Sequence, residues 1–178
     1  MKKNILSDII SKDDNIVFCG MAAGKESCKI NHYYAKSSNR FWKVLREVGF
    51  VKQDIVPNPD IVKRELNYQI LRDNKIGITD LVKDVCGMDN EVQVNPKDIV
   101  RLNSLIEEFQ PRVLAFNGKK VAKIFLNKNN VDFGLQGYKV GKTQFFVLPS
   151  TSQVAARWWD QSFWQKVCDL VEIFRSRS

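Results

Sequence analysis

Apolar positions along this chain fall into two alternating kinds of segment. One kind is a short, unbroken run: Ile16–Cys19, Lys75–Thr79, Arg112–Phe116 and Gln144–Leu148. Runs of that length, rich in β-branched and aromatic residues, predict strands buried on both faces. The other kind repeats every three or four residues. A helix from about Asn39 to Val48 places Phe41, Val44, Leu45 and Val48 on one face and ends at Gly49. Further helices are predicted over Ile61–Leu71, capped by Asp60, and from Asn95-Pro96 to Phe109, with Ile99, Leu102, Leu105 and Ile106 inward. Two more are predicted over Lys119–Leu126 and from about Gln161 to Arg175. A short helix is expected over Ile5–Ile10, and Val51–Pro59, with Pro57 and Pro59, reads as a loop.

Strands alternating with helices predict an α/β fold, a three-layer sandwich with a central, short, mostly parallel sheet flanked by helices. For 178 residues without a repeat or low-complexity tract, a single domain spanning 1–178 is the simplest reading. Sheets of this kind carry their sites at the carboxyl ends of the strands. The segments Gly20–Tyr34, Asp80–Asn90, Asn117–Lys120 and Ser150–Arg157 are therefore expected to gather on one edge.

The first of these segments holds the most chemistry. Strand one breaks at Gly20 and again at Gly24, where a sharp turn would expose backbone N–H groups. His32-Tyr33-Tyr34 follows, and then Ser37–Trp42, which reads as a capped helix start with Arg40 on its first turn. A helix N-terminus of that kind attracts anions, phosphate among them.

Charge narrows the class of partner. Lysine and arginine outnumber aspartate and glutamate 28 to 20, for a net charge of +8. That excess points to a polyanion, nucleic acid first, or to a solvated surface that is merely basic. No apolar run approaches the ~18 residues of a membrane span. Asp8, Asp13 and Asp14 interrupt the basic N-terminus, so a cytoplasmic protein without membrane contact is expected. Cys19, Cys28, Cys86 and Cys168 are scattered without a CxxC pair. Their spacing argues against a zinc site, a disulfide framework or an iron–sulfur cluster and leaves buried or idle thiols. Cys28 and His32 only imitate a metal pair, and no metal or cofactor is expected.

Two motifs, GMAAG at 20–24 and YYAKSSNRFWKVL at 33–45, resemble the mismatch-specific uracil-DNA glycosylase and thymine-DNA glycosylase family. Its first motif reads Gly-Ile-Asn-Pro-Gly, and its second reads aromatic-Ala-x-Pro-x-Asn-Arg-Phe-Trp at the same separation. A subgroup with Gly-Thr-Ala-Ala-Gly in the first motif is more similar still. GITDLVK, PRVLAFNGKK and VLPSTS are later landmarks, so the resemblance runs from about Asn15 to Trp164. It implies a uracil-DNA glycosylase-like fold and a monofunctional glycosylase acting as a monomer on double-stranded DNA. Such an enzyme flips out a uracil, or another damaged or mispaired pyrimidine, and hydrolyses its N-glycosidic bond to leave an abasic site.

That reaction needs an aromatic floor, hydrogen bonds to the base edge, a group that places water, and cations for phosphate. The resemblance makes Tyr34 the stacking aromatic and Asn39 the base-contacting amide. A core tyrosine beside Phe41 and Trp42, and a plain helix cap, are the alternatives. Met21, Ala22 and His32 complete the expected base site, with a structural polar contact equally open for His32. Ala22 stands where the family has its water-holding Asn, and alanine cannot hold water. The Ala-Ala subgroup implies an aspartate from elsewhere, and Asp80 in GITD and Asp89 in GMDN are the candidates. Asp80 comes first, because it follows a strand and matches the family position that faces the base. A solvated loop acid or N-cap is the alternative for each. A carboxylate there would orient water and stabilise the developing sugar cation.

Ser150 and Ser152 suit phosphate or sugar contacts, while Gln153 and Val154 could fill the hole left by the flipped base. Arg40, Lys119, Lys120, Lys123 and Arg157 are the phosphate candidates, although each alone is also an ordinary surface cation. Trp158, Trp159 and Trp164 are expected to pack the last helix. The chain departs from the family at Ser37-Ser38, which replace Pro-Gly, at Thr151, which replaces Pro, and at Gln153, which replaces Gly. Those departures leave two alternatives. One is excision of a bulkier modified base, such as modified cytosine in foreign DNA, as a defence factor; the other is a catalytically inactive DNA-binding module.

Overall fold

The computed structural model describes residues 5–53, 55 and 60–176, so the expected loop prolines Pro57 and Pro59 lie outside the described residues. In chain order the elements are β1 (Ile16–Ala23), α1 (Lys25–Ile30), α2 (Phe41–Glu47), α3 (Ile61–Asp73), β2 (Ile76–Cys86), α4 (Pro96–Phe109) and β3 (Val113–Asn117). They continue with α5 (Lys119–Phe125), β4 (Gly134–Val140), β5 (Thr143–Leu148), a 3-10 turn over Gln153–Trp158, and α6 (Ser162–Arg175).

The strands form one sheet in the order β2-β1-β3-β5-β4, parallel throughout except for β4, which runs antiparallel to β5. Alternation along each strand sends side chains to two cores. Ile16 and Phe18 join Phe41, Trp42, Leu45, Ile78 and Trp164 beneath α2, α3 and α6. Val17 and Cys19 join Leu102, Ile106, Leu114, Phe116, Phe125 and Phe145 beneath α4 and α5. Each such side chain contributes about 1.5–3 kcal/mol by leaving water. The result is the three-layer α/β sandwich that the apolar pattern predicts. Caps also fall as expected: Asp60 Oδ1 accepts from Lys63 N at 3.0 Å, and Asn95 N donates to Asp98 Oδ2 at 2.8 Å.

Several features depart from expectation, among them the helix α1 inside the segment read as a loop. The segment expected to be helical over Ile5–Ile10 is extended and bridges β2 antiparallel, with Ile9 N to Ile78 O at 3.0 Å and Ile78 N to Ile9 O at 2.7 Å. Six residues are too few to sustain a helix alone, and tertiary pairing prevails. β1 does not turn at Gly20 but continues to Ala23. β2 continues past Asp80 to Cys86, which places Asp80 on a strand rather than in the loop beyond it. The charges of TDLVKD read as a loop, but along the strand Lys83 is paired with Asp8 and Asp84 with Lys97. β4 has no counterpart in the predicted elements, because its glycines and exposed residues hide the alternation. Finally, Cys28 and Cys86 form a disulfide with Cα atoms 6.3 Å apart, against the expectation of idle thiols. Ala23 pairs with Cys86 in register and α1 follows directly, so two cysteines 58 positions apart meet.

Candidate active site

β1 and β2 pair so that Gly20 lies opposite Asp80. A Cβ on Gly20 would overlap Asp80 Oδ1 and stand 3.1 Å from Tyr34 Oη. Gly20 therefore serves close approach: its missing side chain leaves room for a carboxyl and a phenol together. Tyr34 takes the left-handed conformation at φ 51°, which turns the chain after Tyr33. Its ring stacks on Phe41 with centroids 3.9 Å apart. Its hydroxyl is buried and makes no hydrogen bond of ordinary geometry among the described residues, although the Asn117 amide is near enough to favour the phenolate.

Asp80 is only 3% exposed, and burial raises its pKa to about 7. Lys83 and Arg101 pull it down; Asp8 and Asp89 push it up. A carboxyl so poised gains or loses a proton near neutral pH, as a general base should. Burial also lifts the Tyr34 phenol well above its usual range, with Asp80 adding to the effect. Asp89 lies at the exposed rim, yet it acts electrostatically on both Asp80 and Tyr34. Surrounding protein raises its own carboxyl pKa against the cation of Lys120, whose ammonium donates to the Asp89 carbonyl.

Behind Asp80 is an ionic cluster that spacing alone does not disclose. The Lys83 ammonium, 5% exposed as a residue, is 2.9 Å from Asp8 Oδ1 and donates to Tyr33 Oη at 2.5 Å. Thr79 Oγ1 donates to Asp8 Oδ1 at 2.6 Å, and Arg101 Nη1 reaches Asp8 Oδ2 at 3.0 Å. Arg101 Nη2 donates to the backbone carbonyl of Asp80 itself.

The opposite wall is tied by Asn117, the last residue of β3. Its Nδ2 donates to Thr151 Oγ1 at 2.9 Å, and its Oδ1 accepts from Thr151 N at 3.0 Å. Arg40 N donates to Thr151 O at 3.0 Å, joining the start of α2 to the same loop. Thr151, a departure from the family pattern, thus acts as an internal fastener. Gly118, at φ +129°, lets the chain pass Ser150, and Ser150 Oγ accepts from Ser152 N at 3.3 Å. The Asn-Gly pair after a buried strand was the available signal for Asn117.

The remaining expected residues are dispersed around this centre. Asn39 Oδ1 accepts from the backbone N of Phe41, the first residue of α2, at 3.0 Å, with Arg40 rather than Asn39 at the N-cap, and that bond leaves its NH2 group uncommitted. Met21 packs into the core under α4 and α5, and Ala22 is half-buried. His32 lies deep, stacked on Trp42 at 4.9 Å with Nδ1 2.8 Å from Tyr68 Oη. Burial, helped by the Arg64 cation, lowers its pKa to about 4. Arg40 is half-buried, its guanidinium 5.3 Å over the Trp159 ring, and Lys119 sits 4.4 Å over Phe133. Lys120 is exposed and Lys123 half-buried. Gln153, Val154 and Arg157 project from the 3-10 turn, with Val154 73% exposed. Trp164 is buried in the core as expected, but Trp158 is not packing: it is 59% exposed, with Arg157 4.2 Å over its ring. Among the described residues no group of three or more His, Cys, Asp or Glu side chains could hold a metal ion, and no helix is long and apolar enough to cross a membrane.

Comparison with known proteins bears on the fold and the family. The profile of the uracil DNA glycosylase superfamily matches residues 7–171. The NMR solution structure of a candidate uracil DNA glycosylase from Methanosarcina acetivorans superposes with a TM-score of 0.63 at 19% identity, covering 96% of this chain and 98% of that one. At that identity the likeness speaks for the fold: an α/β sandwich of the uracil-DNA glycosylase kind. Because the superfamily profile spans all but the ends of the sequence, the chain belongs to the uracil DNA glycosylase superfamily.

Proposed function

We propose that the chain is a monofunctional DNA glycosylase that removes uracil, or another damaged or mispaired pyrimidine, from duplex DNA after flipping the base out of the stack. The observation that carries this reading is the buried Asp80 carboxyl, set against Gly20 and Tyr34 Oη at the carboxyl end of the sheet, with Asp89 in electrostatic reach. Superfamily membership supports the reaction class.

In this reading Tyr34, braced by Phe41, supplies the aromatic wall for the base. Asn39 directs its NH2 group to a carbonyl oxygen on the base edge. Water adds to the anomeric carbon as the bond to the base nitrogen breaks, and the bonding pair leaves with the base. The water proton passes to the Asp80 carboxylate, which with Asp89 also stabilises the cationic sugar. Val154 and Gln153 enter the gap in the duplex, and Trp158 broadens that apolar tip. Ser150, Ser152, Lys119, Lys120 and Arg157 contact the phosphates on either side. One chain carries all of these groups, so a monomer suffices.

Incubation with duplexes carrying one uracil, opposite guanine or adenine, tests the reading through alkali-labile breaks at that position. Breaks are expected with the wild type and not with Asp80→Asn. Excision confined to bulky modified cytosines would change the substrate. Binding without release of any base would replace the enzyme with an inactive DNA-binding module.

A further inference from the structure

The cluster behind Asp80 is more elaborate than the fold requires. β2 has its backbone edge covered at Ile9, and an apolar side chain at position 83 would bury as well as lysine does. Replacing a buried ion pair by packed apolar residues is often neutral or stabilising, so burial of Lys83 at 5% exposure is weak evidence for a role in stability. Asp8 is the residue that makes that burial tolerable. Its two carboxylate oxygens are divided between Lys83 and Arg101, and a side-chain exposure of 19% keeps it partly hydrated beside a cavity of about 360 Å3 that Tyr33 also lines. The N-terminal segment is extended rather than helical at this point, which brings Asp8 to the β2 edge.

We propose that Lys83 and Asp8 are positioning residues for Asp80, an inner cation and its counter-ion that are joined through Arg101 to the residue whose carboxyl faces the substrate. The inference rests on the glycosylase reading for its purpose but not for its physics. Arg101 couples the cluster to Asp80 directly, by bonding Asp8 on one side and the Asp80 carbonyl on the other. Four charged groups act on Asp80. They are Lys83 from β2 itself, Asp8 from the N-terminal segment, Arg101 from α4 and Asp89 from the rim, while Asp80 in turn raises the pKa of Cys19, Tyr33, Tyr34 and Tyr68 beside it. Of the two cations, Lys83 acts the more strongly on Asp80, and Asp8 opposes it. Removing one should therefore move Asp80 opposite to removing the other. A purely structural role predicts no such opposition.

Carboxyl 13C NMR of Asp80 through a pH titration reads its ionisation whether or not the protein turns over, and a pH–rate profile on uracil duplex reads the same group in action. In Lys83→Met the midpoint should rise by about one pH unit or more, and in Asp8→Asn it should fall; Lys83→Arg should restore the wild-type value. The acid limb of the rate profile should follow, with about tenfold less activity in Lys83→Met at a pH below the limb. Asp8→Asn nearly preserves volume and keeps the comparison available if Lys83→Met folds poorly. Midpoints that stay fixed, or move together, would overturn the inference. Opposite shifts in a protein that excises no base would keep the positioning pair and discard the enzyme.

Discussion

Gly20 and Asp80 stand opposite each other on neighbouring parallel strands, and the carboxyl of Asp80 occupies the space that a side chain on residue 20 would fill. The first motif and the acid of GITD are thereby one structural unit, although sixty positions separate them. A glycine here does not bend the chain. It admits the Asp80 carboxyl.

Gly20→Ala should therefore be worse for activity than for folding. The added methyl forces Asp80 Oδ1 and Tyr34 Oη apart, with a stability cost of about 1–3 kcal/mol for overpacking. Excision should fall roughly 100-fold, as misplacement of a catalytic group by about 1 Å predicts. Thermal unfolding and a single-turnover assay on one preparation check both halves.

Asp80→Asn should stabilise the protein while disabling it. A carboxyl whose pKa rises from 3.8 to about 7 on folding holds its proton more tightly folded than unfolded. Its contribution to stability is complete below pH 3.8 and is lost as pH climbs through 7. Asparagine mimics the protonated form at every pH. The variant should gain on the order of 2–4 kcal/mol at pH 8, a rise in Tm of roughly 5–10 °C, and nothing near pH 4. Melting curves at the two pH values check this.

Thiol counts should separate the cysteines into two classes. Under denaturing conditions without reductant, only Cys19 and Cys168 should react; after reduction, all four should. Breaking a cross-link between residues 58 apart should lower stability by about 4 kcal/mol. Such bonds are uncommon in reducing compartments, so the count also bears on where the protein works.

Trp158→Ala should weaken binding to a duplex with an abasic site by about tenfold, since an exposed aromatic that stacks on a base is worth about 1–3 kcal/mol. Its exposure means that stability should change by less than about 0.5 kcal/mol. Equilibrium binding and a melt of the same variant decide whether the ring serves DNA or the fold.

The layers of the fold were legible because apolar runs and helical periodicity report burial directly. Phe18, Leu102, Ile106 and Trp164 all lie where their spacing predicts. What escaped was decided by long-range contact. Ile5–Ile10 carries an amphipathic pattern, yet its backbone pairs with β2 and its Asp8 joins Lys83. GITDLVKD looks too charged for a strand until the partners of its charges are in view. In the candidate site, the motif positions of Tyr34 and Asp80 draw attention to residues that do meet; Asn117 and Lys83 stand inside landmark stretches that gave them no role, and Arg101 lies outside every motif. Thr151 stands out in the sequence only as a departure from the family pattern, and nothing local discloses that its hydroxyl accepts from the Asn117 amide.

The central claim is that an aspartate, not the motif asparagine replaced by Ala22, guides the attacking water. Single-turnover excision of uracil from a G·U duplex at pH 8, compared among wild type, Asp80→Asn, Asp89→Asn and the double variant, tests it most directly. The account predicts that Asp80→Asn loses a factor of roughly 100 to 10,000, that Asp89→Asn loses less, and that the double variant is no faster than Asp80→Asn. Excision that survives in the double variant at close to the wild-type rate would contradict it.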